Sequence, residues 1–433
     1  MNILLVSQHS IGAWFILRLL KEGHSVEWWL TQRGPWDNAL RGLIPEPYLR
    51  RPPQAVLEGA DLILFDQNGQ GKLAEELRQY APVLGDGLLA SKLEDDRLYG
   101  IQVMEQCEIE VPFYETFKSP EEAREFIAQR PARYVYKPFT APGKEQHSAT
   151  TYVSSSAEDM LASLDRIFTE TGGLPFLLQE VVEGEEISLE GWSDGSNFHF
   201  LGLTLEEKKF MNGNMGPNCG ASGTLEGILN SKPKLFSHGL GRLTQFVRAT
   251  GYRGMLDLNT IVNESHAYGL ELTSRFGYCC CPTRFSLMEG DMGEFLQTMA
   301  TAPEGGIDLD VRLRANCHWA ASTRYSIPPY PMEIDGNHPE GVAISGIAIE
   351  DAWRDCYLYD CQTDGPDSEK LVTAGIYGHV CSPIGIGHTP QAAWDSAERR
   401  ADKLKIPNMQ ARTDCCESTL KRLKTITEWG WLT

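Results

Sequence analysis

One stretch, Gln179 to Gly223, limits what this chain can become more than any other. It opens Gln179-Glu-Val-Val-Glu-Gly-Glu-Glu-Ile-Ser-Leu-Glu-Gly-Trp192, passes a short polar break and a strand-like run from Phe198 to Leu205, and closes Glu206-Glu-Lys-Lys-Phe-Met-Asn-Gly-Asn-Met-Gly-Pro-Asn-Cys-Gly-Ala-Ser-Gly223. A buried strand wants apolar residues at every position or every second one, yet Glu180, Glu183, Glu185, Glu186, Glu190, Glu206 and Glu207 interrupt this β-rich region. Gly213, Gly216, Pro217, Gly220 and Gly223 predict a loop that turns sharply or brings its backbone close to a partner. Carboxylates followed by such a loop read as half of a nucleotide and metal site.

Length sets the frame for that site. At 433 residues the chain has room for two to four domains and a core that needs no disulfide staples. Its start, Met1-Asn-Ile-Leu-Leu-Val, has no basic segment ahead of an apolar core, and no apolar run approaches a membrane span, so a cytoplasmic protein without membrane contact is expected. Eleven cysteines include the adjacent runs Cys279–Cys281 and Cys415–Cys416 rather than spaced metal-ligand pairs, and read as reduced thiols. The net charge of −20 makes bulk nucleic-acid binding unfavourable while leaving room for local phosphate pockets.

In chain order, Ile3–Val6, Val26–Leu30 and Leu62–Phe65 are short buried-strand patterns separated by helical ones, so the first 88 residues read as an open α/β unit with its loops at strand C-termini. The Ser7–Gly12 turn lacks the glycine fingerprint of a dinucleotide site, and His9 within it is a lone loop histidine. A helix is predicted from Ser91-Lys92 to about Gln106. Tyr134-Val-Tyr-Lys-Pro138 is a strand whose Lys137 faces away from its aromatic neighbours, followed by a glycine-bearing loop, Thr140 to His147; such a hairpin can close over nucleotide phosphates. Phe236 to Thr250 reads as one helix. Met255–Val262 and Tyr268–Arg275 form an antiparallel pair around a turn at Asn263–His266, with Asp257 and Asn259 sharing a face of one strand and Glu271, Thr273 and Arg275 a face of the other. Carboxylates converging from two strands suit a hard divalent ion carrying nucleotide phosphates. The last region combines short strands with a helix capped at Gly387-His-Thr-Pro390, and ends in an apolar Trp429-Gly-Trp431 that docks on the body.

The order of these pieces resembles the ATP-grasp ligases, most closely the phosphoribosylamine–glycine ligase family: Ser-Lys before a helix, Val-Tyr-Lys-Pro, a glycine-bearing loop, Gln-Glu-Val-Val-Glu-Gly-Glu-Glu-Ile-Ser, Lys-x₇-Gly-Pro-Asn, Glu-x-x-x-Arg-Phe-Gly, and a C-terminal Lys370-Leu-Val-Thr-Ala-Gly with Gly385-Ile-Gly-His-Thr-Pro. The resemblance implies an α/β ATP-grasp fold with a Rossmann-like N-terminal (pre-ATP-grasp) domain over residues 1–88, a core over 89–325 with a mobile lid subdomain at about 134–182, and a C-terminal α+β domain over 326–433. It implies ATP and Mg²⁺ or Mn²⁺ as cofactors. By match to the family's motifs, Lys92 and Lys137 would reach the nucleotide, Glu180, Val181 and Val182 would border adenine, and Glu186 would bind ribose. Glu271 would ligate magnesium, with Thr273 where the family has asparagine and Asp257 compensating from the neighbouring strand. Lys208, Asn218 and Arg275 would face the reacting groups.

The implied activity is amide formation from a small carboxylate and an amine through an acyl phosphate, with oligomeric state open between monomer and dimer. The family's Gly-Gly-Arg-Glu-His-Ala loop is replaced by Ser7-Gln-His-Ser-Ile-Gly12, and Arg-Phe-Gly is followed by Tyr278-Cys-Cys-Cys281 instead of Asp-Pro-Glu. These departures fall on the substrate side. The expected activity is therefore a ligase with a divergent amine acceptor; the purine enzyme itself in divergent form, and a nucleotide-binding protein without turnover, stand as alternatives.

Overall fold

The structure is a computed structural model that describes residues 1–139, 151–229, 231–332, 338–365 and 368–433. Its N-terminal unit is a parallel sheet in the order Ser25–Leu30, Asn2–Ser7, Leu62–Phe65, Val83–Leu84, built by the apolar runs that the sequence shows. The sequence-predicted strand–helix alternation is reproduced here, with Ala13–Lys21 as the first crossover helix.

A second, antiparallel sheet orders Tyr114–Phe117, Phe176–Glu180, Tyr134–Pro138 and Tyr152–Val153. Helices Pro120–Gln129 and Ala157–Glu170, each capped by a serine side chain, cover it, and Phe117, Tyr134, Tyr136 and Phe176 form its private core. Tyr136 stacks on Phe176 with ring centroids 4.4 Å apart. The loop expected to close over phosphates, Thr140–His147, lies outside the described residues.

The central sheet has nine strands among the described residues. Its main path runs Ala267–Thr273, Arg253–Val262, Glu185–Asp194, Phe198–Met211, Met215–Ile228, Trp319–Thr323, His379–Gly387, Tyr325–Ser326, with Cys356–Leu358 also paired to His379–Gly387. Pairing is thus continuous across position 326, the sequence-drawn start of the C-terminal domain. A small sheet of Glu340–Ile344, Leu371–Ala374 and Gln362–Thr363 completes that region. Beneath the central sheet Phe15, Trp28, Trp192, Phe276 and Phe285 share a core with Tyr357, and the Trp14 indole N–H donates to the Cys356 carbonyl at 3.0 Å. The N-terminal unit and the C-terminal region therefore bury surface against each other.

Three expectations are corrected. Gly213 to Gly223 is no loop: Met215–Ile228 is a strand, and only Asn212–Asn214 turns the hairpin. Glycines at 216 and 220, with φ of +79° and +80°, let the strand continue through two register shifts against Phe198–Met211 where other residues would be strained. The helix expected from Lys92 to Gln106 is two, Leu88–Asp95 and Arg97–Gln106, because Asp96 leaves the helical region and caps the second through the Tyr99 N–H. Phe236 to Thr250 likewise breaks at Gly239 into Lys234–His238, a 3₁₀ turn at Leu240–Leu243, and Thr244–Thr250. A last helix, Cys415–Glu428, was not anticipated at all.

Candidate functional site

The strand pair foreseen around Asn263–His266 forms in a register that sets Asp257 directly opposite Thr273 and Asn259 directly opposite Glu271. Side chains at directly paired positions share a face, so all four line one cavity of about 290 Å³. Glu94 and Arg97 from the two short helices, Glu206 and Lys208 from the Phe198–Met211 strand, Asn218 and Gly220 from its partner, and Arg275, Tyr278 and Arg324 complete its polar walls.

Electrostatics divide this cavity into groups that want a cation and groups that supply positive charge. Burial pushes the Asp257 carboxyl well above the usual carboxylate range, and the nearby Glu190 and Glu206 carboxylates push it further. Asp257 Oδ1 and Asn259 Oδ1 are buried and accept no hydrogen bond from the described residues. Glu271 behaves differently: burial alone would raise its carboxyl, but Lys208, Lys137 and Arg97 together hold it below its ordinary value. Unpaired oxygens beside an ionised carboxylate are the donor set of a hard divalent cation, so Glu271, Asp257 and Asn259 fit one.

Lys208 and Glu186 form an ion pair with Nζ 2.5 Å from Oε1, and Asn259 Nδ2 donates to the same oxygen at 2.9 Å. The carboxylate expected to meet ribose is therefore engaged by protein groups. Lys137 is buried and donates to Gln179 Oε1 at 2.7 Å; burial, reinforced by the Arg97 charge, lowers its ammonium to about 8. Glu180 pairs with Arg130 at 2.8 Å, the Val181 N–H is given to the Arg133 carbonyl, and the Val182 N–H has no partner among the described residues. Arg275 is clamped by Glu94 at 3.1 Å and lies 4.2 Å over the Tyr278 ring. Asn218 lines the cavity from the bulged strand opposite Lys209.

Lys92 does not join this group. Its side chain is exposed, with the ammonium 5.9 Å from the Tyr99 ring centre, and the cation that its helix pair sends into the cavity is Arg97. The Asp96 cap that starts the second helix was the readable signal for Arg97. Sequence reasoning also missed the support beneath the site. Arg284, fully buried, bridges Glu190 at 2.8 Å and Glu226 at 2.7 Å, and its guanidinium lies where a Cβ at Gly202 would stand. From the unforeseen last helix, Arg422 donates to the carbonyls of Glu186 and Glu206 and to the Glu207 carboxylate.

Comparison with known proteins places this fold among the ATP-grasp folds. Residues 95–281 match the family model of the phosphoribosylglycinamide synthetase ATP-grasp (A) domain. The chain is similar to phosphoribosylamine–glycine ligase of Neisseria meningitidis, 22% identical over 350 residues that cover 78% of this chain and 79% of that protein. It is similar too to the human trifunctional purine biosynthetic protein adenosine-3, 24% identical over 339 residues, 75% of this chain and 32% of the human protein. Among solved structures, phosphoribosylamine–glycine ligase from Thermotoga maritima aligns with a TM-score of 0.72 at 21% identity, over 96% of this chain and all of that one. The biotin carboxylase domain of a Hydrogenobacter thermophilus 2-oxoglutarate carboxylase, in complex with the magnesium salt of ADP, aligns at 0.66 and 14% identity, over 99% and 98%.

The chain has the ATP-grasp fold. Within that class it resembles phosphoribosylamine–glycine ligase. Among the described residues no helix is long and apolar enough to cross a membrane.

Proposed function

We propose that the chain is an ATP-dependent ligase that joins a small carboxylate, such as an amino acid, to an amine through an acyl phosphate. The observation that carries this reading is the Asp257–Thr273 and Asn259–Glu271 pairing on one cavity wall, faced by Arg97, Lys208 and Arg275. Lys137 and Arg97 offset nucleotide charge, and Lys208, fixed by Glu186, stands beside the transferring phosphoryl group. Arg275, held by Glu94 and Tyr278, orients the carboxylate. A divalent cation held by Glu271, Asp257 and Asn259 would neutralise phosphate oxygens when bound. The carboxylate oxygen takes the γ-phosphoryl group and ADP leaves; the amine then displaces phosphate from the acyl carbon and sheds a proton. Burial of the site keeps water from the acyl phosphate.

The acceptor amine differs from that of the relatives. The Ser7–Gly12 turn offers no lysine or arginine to a phosphate. Its His9 is held neutral, lowered to about 4 by burial and by the Arg275 charge, with the ring fixed by Gln67 at 2.7 Å.

Purified protein given Mg-ATP and a panel of amino acids and amines, phosphoribosylamine with glycine included, should release ADP and phosphate with one carboxylate–amine pair other than that one. Full turnover with phosphoribosylamine and glycine would instead make this the purine enzyme in divergent form. If no pair elicits ADP release, and ATP binding is unchanged in Glu271→Gln, the ligase reading is contradicted.

A further inference from the structure

Arg324 follows the Trp319–Thr323 strand, four places along the central sheet from the strand that carries Asp257, and so serves the other flank of the same cavity. Its Nη1 donates to the Cys219 carbonyl and to the Tyr330 hydroxyl, and its Nη2 to Cys279 Sγ at 3.1 Å. Every one of these partners is neutral. Among the described residues no carboxylate lies within ion-pair distance of Arg324, whereas in the same neighbourhood Arg275 has one and Arg284 has two. The Nε N–H is buried and has no hydrogen-bond partner among the described residues.

A buried guanidinium N–H left unused costs free energy unless an anion completes it. The unused donors are Nε–H and one Nη2–H. A planar fork of this kind matches an oxyanion better than a point charge would. Cys219 and Tyr330, which hold Nη1, also hold each other: the Tyr330 hydroxyl donates to the Cys219 carbonyl at 3.0 Å, so the fork is fixed before any ligand arrives. Asn218 and Gly220 flank the same wall, and Gly220, at φ +80°, leaves the guanidinium uncovered where a side chain would approach Nη2 to within 3.7 Å.

The geometry points to Arg324 as the residue that receives the oxyanion of a small substrate, a carboxylate or a phosphate, separate from the cations that face the nucleotide. This rests on the ligase reading above, because it takes the cavity to hold nucleotide and substrate together.

Titration calorimetry on the full chain tests it, with the site first filled by Mg²⁺ and the non-hydrolysable β,γ-imido analogue of ATP. Glycine and other small amino acids form the carboxylate arm; inorganic phosphate and ribose 5-phosphate form the phosphate arm. Wild-type protein should bind probes of one arm. R324Q should weaken that binding at least about tenfold and R324K by less, with analogue affinity unchanged. Wild-type affinity retained by R324Q, or no binding of either arm to the wild type, overturns the assignment. If R324Q also loses the analogue, R324K decides: a weakened probe supports the assignment and an unchanged one overturns it. Failure of the wild type to bind the analogue instead removes the nucleotide reading itself.

Discussion

Burial and the Arg97 charge bring the Lys137 ammonium to about 8, within reach of ordinary buffers. Nucleotide phosphates favour the charged form, so binding raises this pKa and draws a proton onto the lysine wherever it was neutral. Affinity should therefore be full below pH 8 and fall as the pH climbs through that value. Calorimetry in buffers of different ionisation enthalpy should show proton uptake at pH 9 and little at pH 7. Lys137→Ala should bind ATP about 10- to 150-fold more weakly, the worth of a charged hydrogen bond, and lose the pH dependence. An unaltered dissociation constant would show that Lys137 does not meet the nucleotide. Residue identities on the strands were legible for a physical reason: strict alternation fixes which side chains share a face. Asp257, Asn259, Glu271 and Thr273 were placed together on that ground, and the register sets them in direct pairs. Lys92 shows the limit. A helix of unknown end has no readable face, and once Asp96 breaks it, Arg97 enters the cavity while Lys92 stays outside.

Elements behind the site were the hardest to read. Arg284 sits in a short helix, Cys280–Phe285, with nothing local to mark it; its meaning comes from Glu190 and Glu226, distant in sequence and brought to it by the sheet. Arg284→Met leaves two buried carboxylates without their counter-charge, and should lower the unfolding free energy in urea by about 3–5 kcal/mol. A loss under about 1 kcal/mol would mean that the network relaxes and is no support for the neighbouring Asp257 strand. The closing helix gives a second case. Trp431, buried just beyond Cys415–Glu428, donates its indole N–H to the Asn263 carbonyl at 2.6 Å, in the turn joining the strands of Asp257 and Glu271. Trp431→Ala should cost about 3–5 kcal/mol in the same assay. The docking of Trp431 was readable from its apolar text; the preceding helix was not, since its cysteines, threonines and lysines give a weak stripe and its role depends on Arg422 reaching three residues of the opening stretch.

At the scale of the whole molecule, the Gln179–Gly223 stretch leaves the second sheet at Glu180 and then supplies three neighbouring strands of the central sheet, and the glycines that looked like loop text are what lets the bulged strand pass the cavity. The same sheet runs on into the C-terminal region, and the core beneath it takes side chains from both ends of the chain, so cavity walls contributed by distant segments are held as one packed body. In the proposed ligase, nucleotide would lie on the Asp257 and Glu271 flank of this cavity and substrate on the Arg324 flank. The claim that this body forms an acyl phosphate has a direct test. With the productive carboxylate carrying ¹⁸O in its carboxyl group, turnover should transfer one labelled oxygen to the inorganic phosphate released with each amide. Phosphate free of label, formed while ADP accumulates, would contradict the account and leave a hydrolase of ATP.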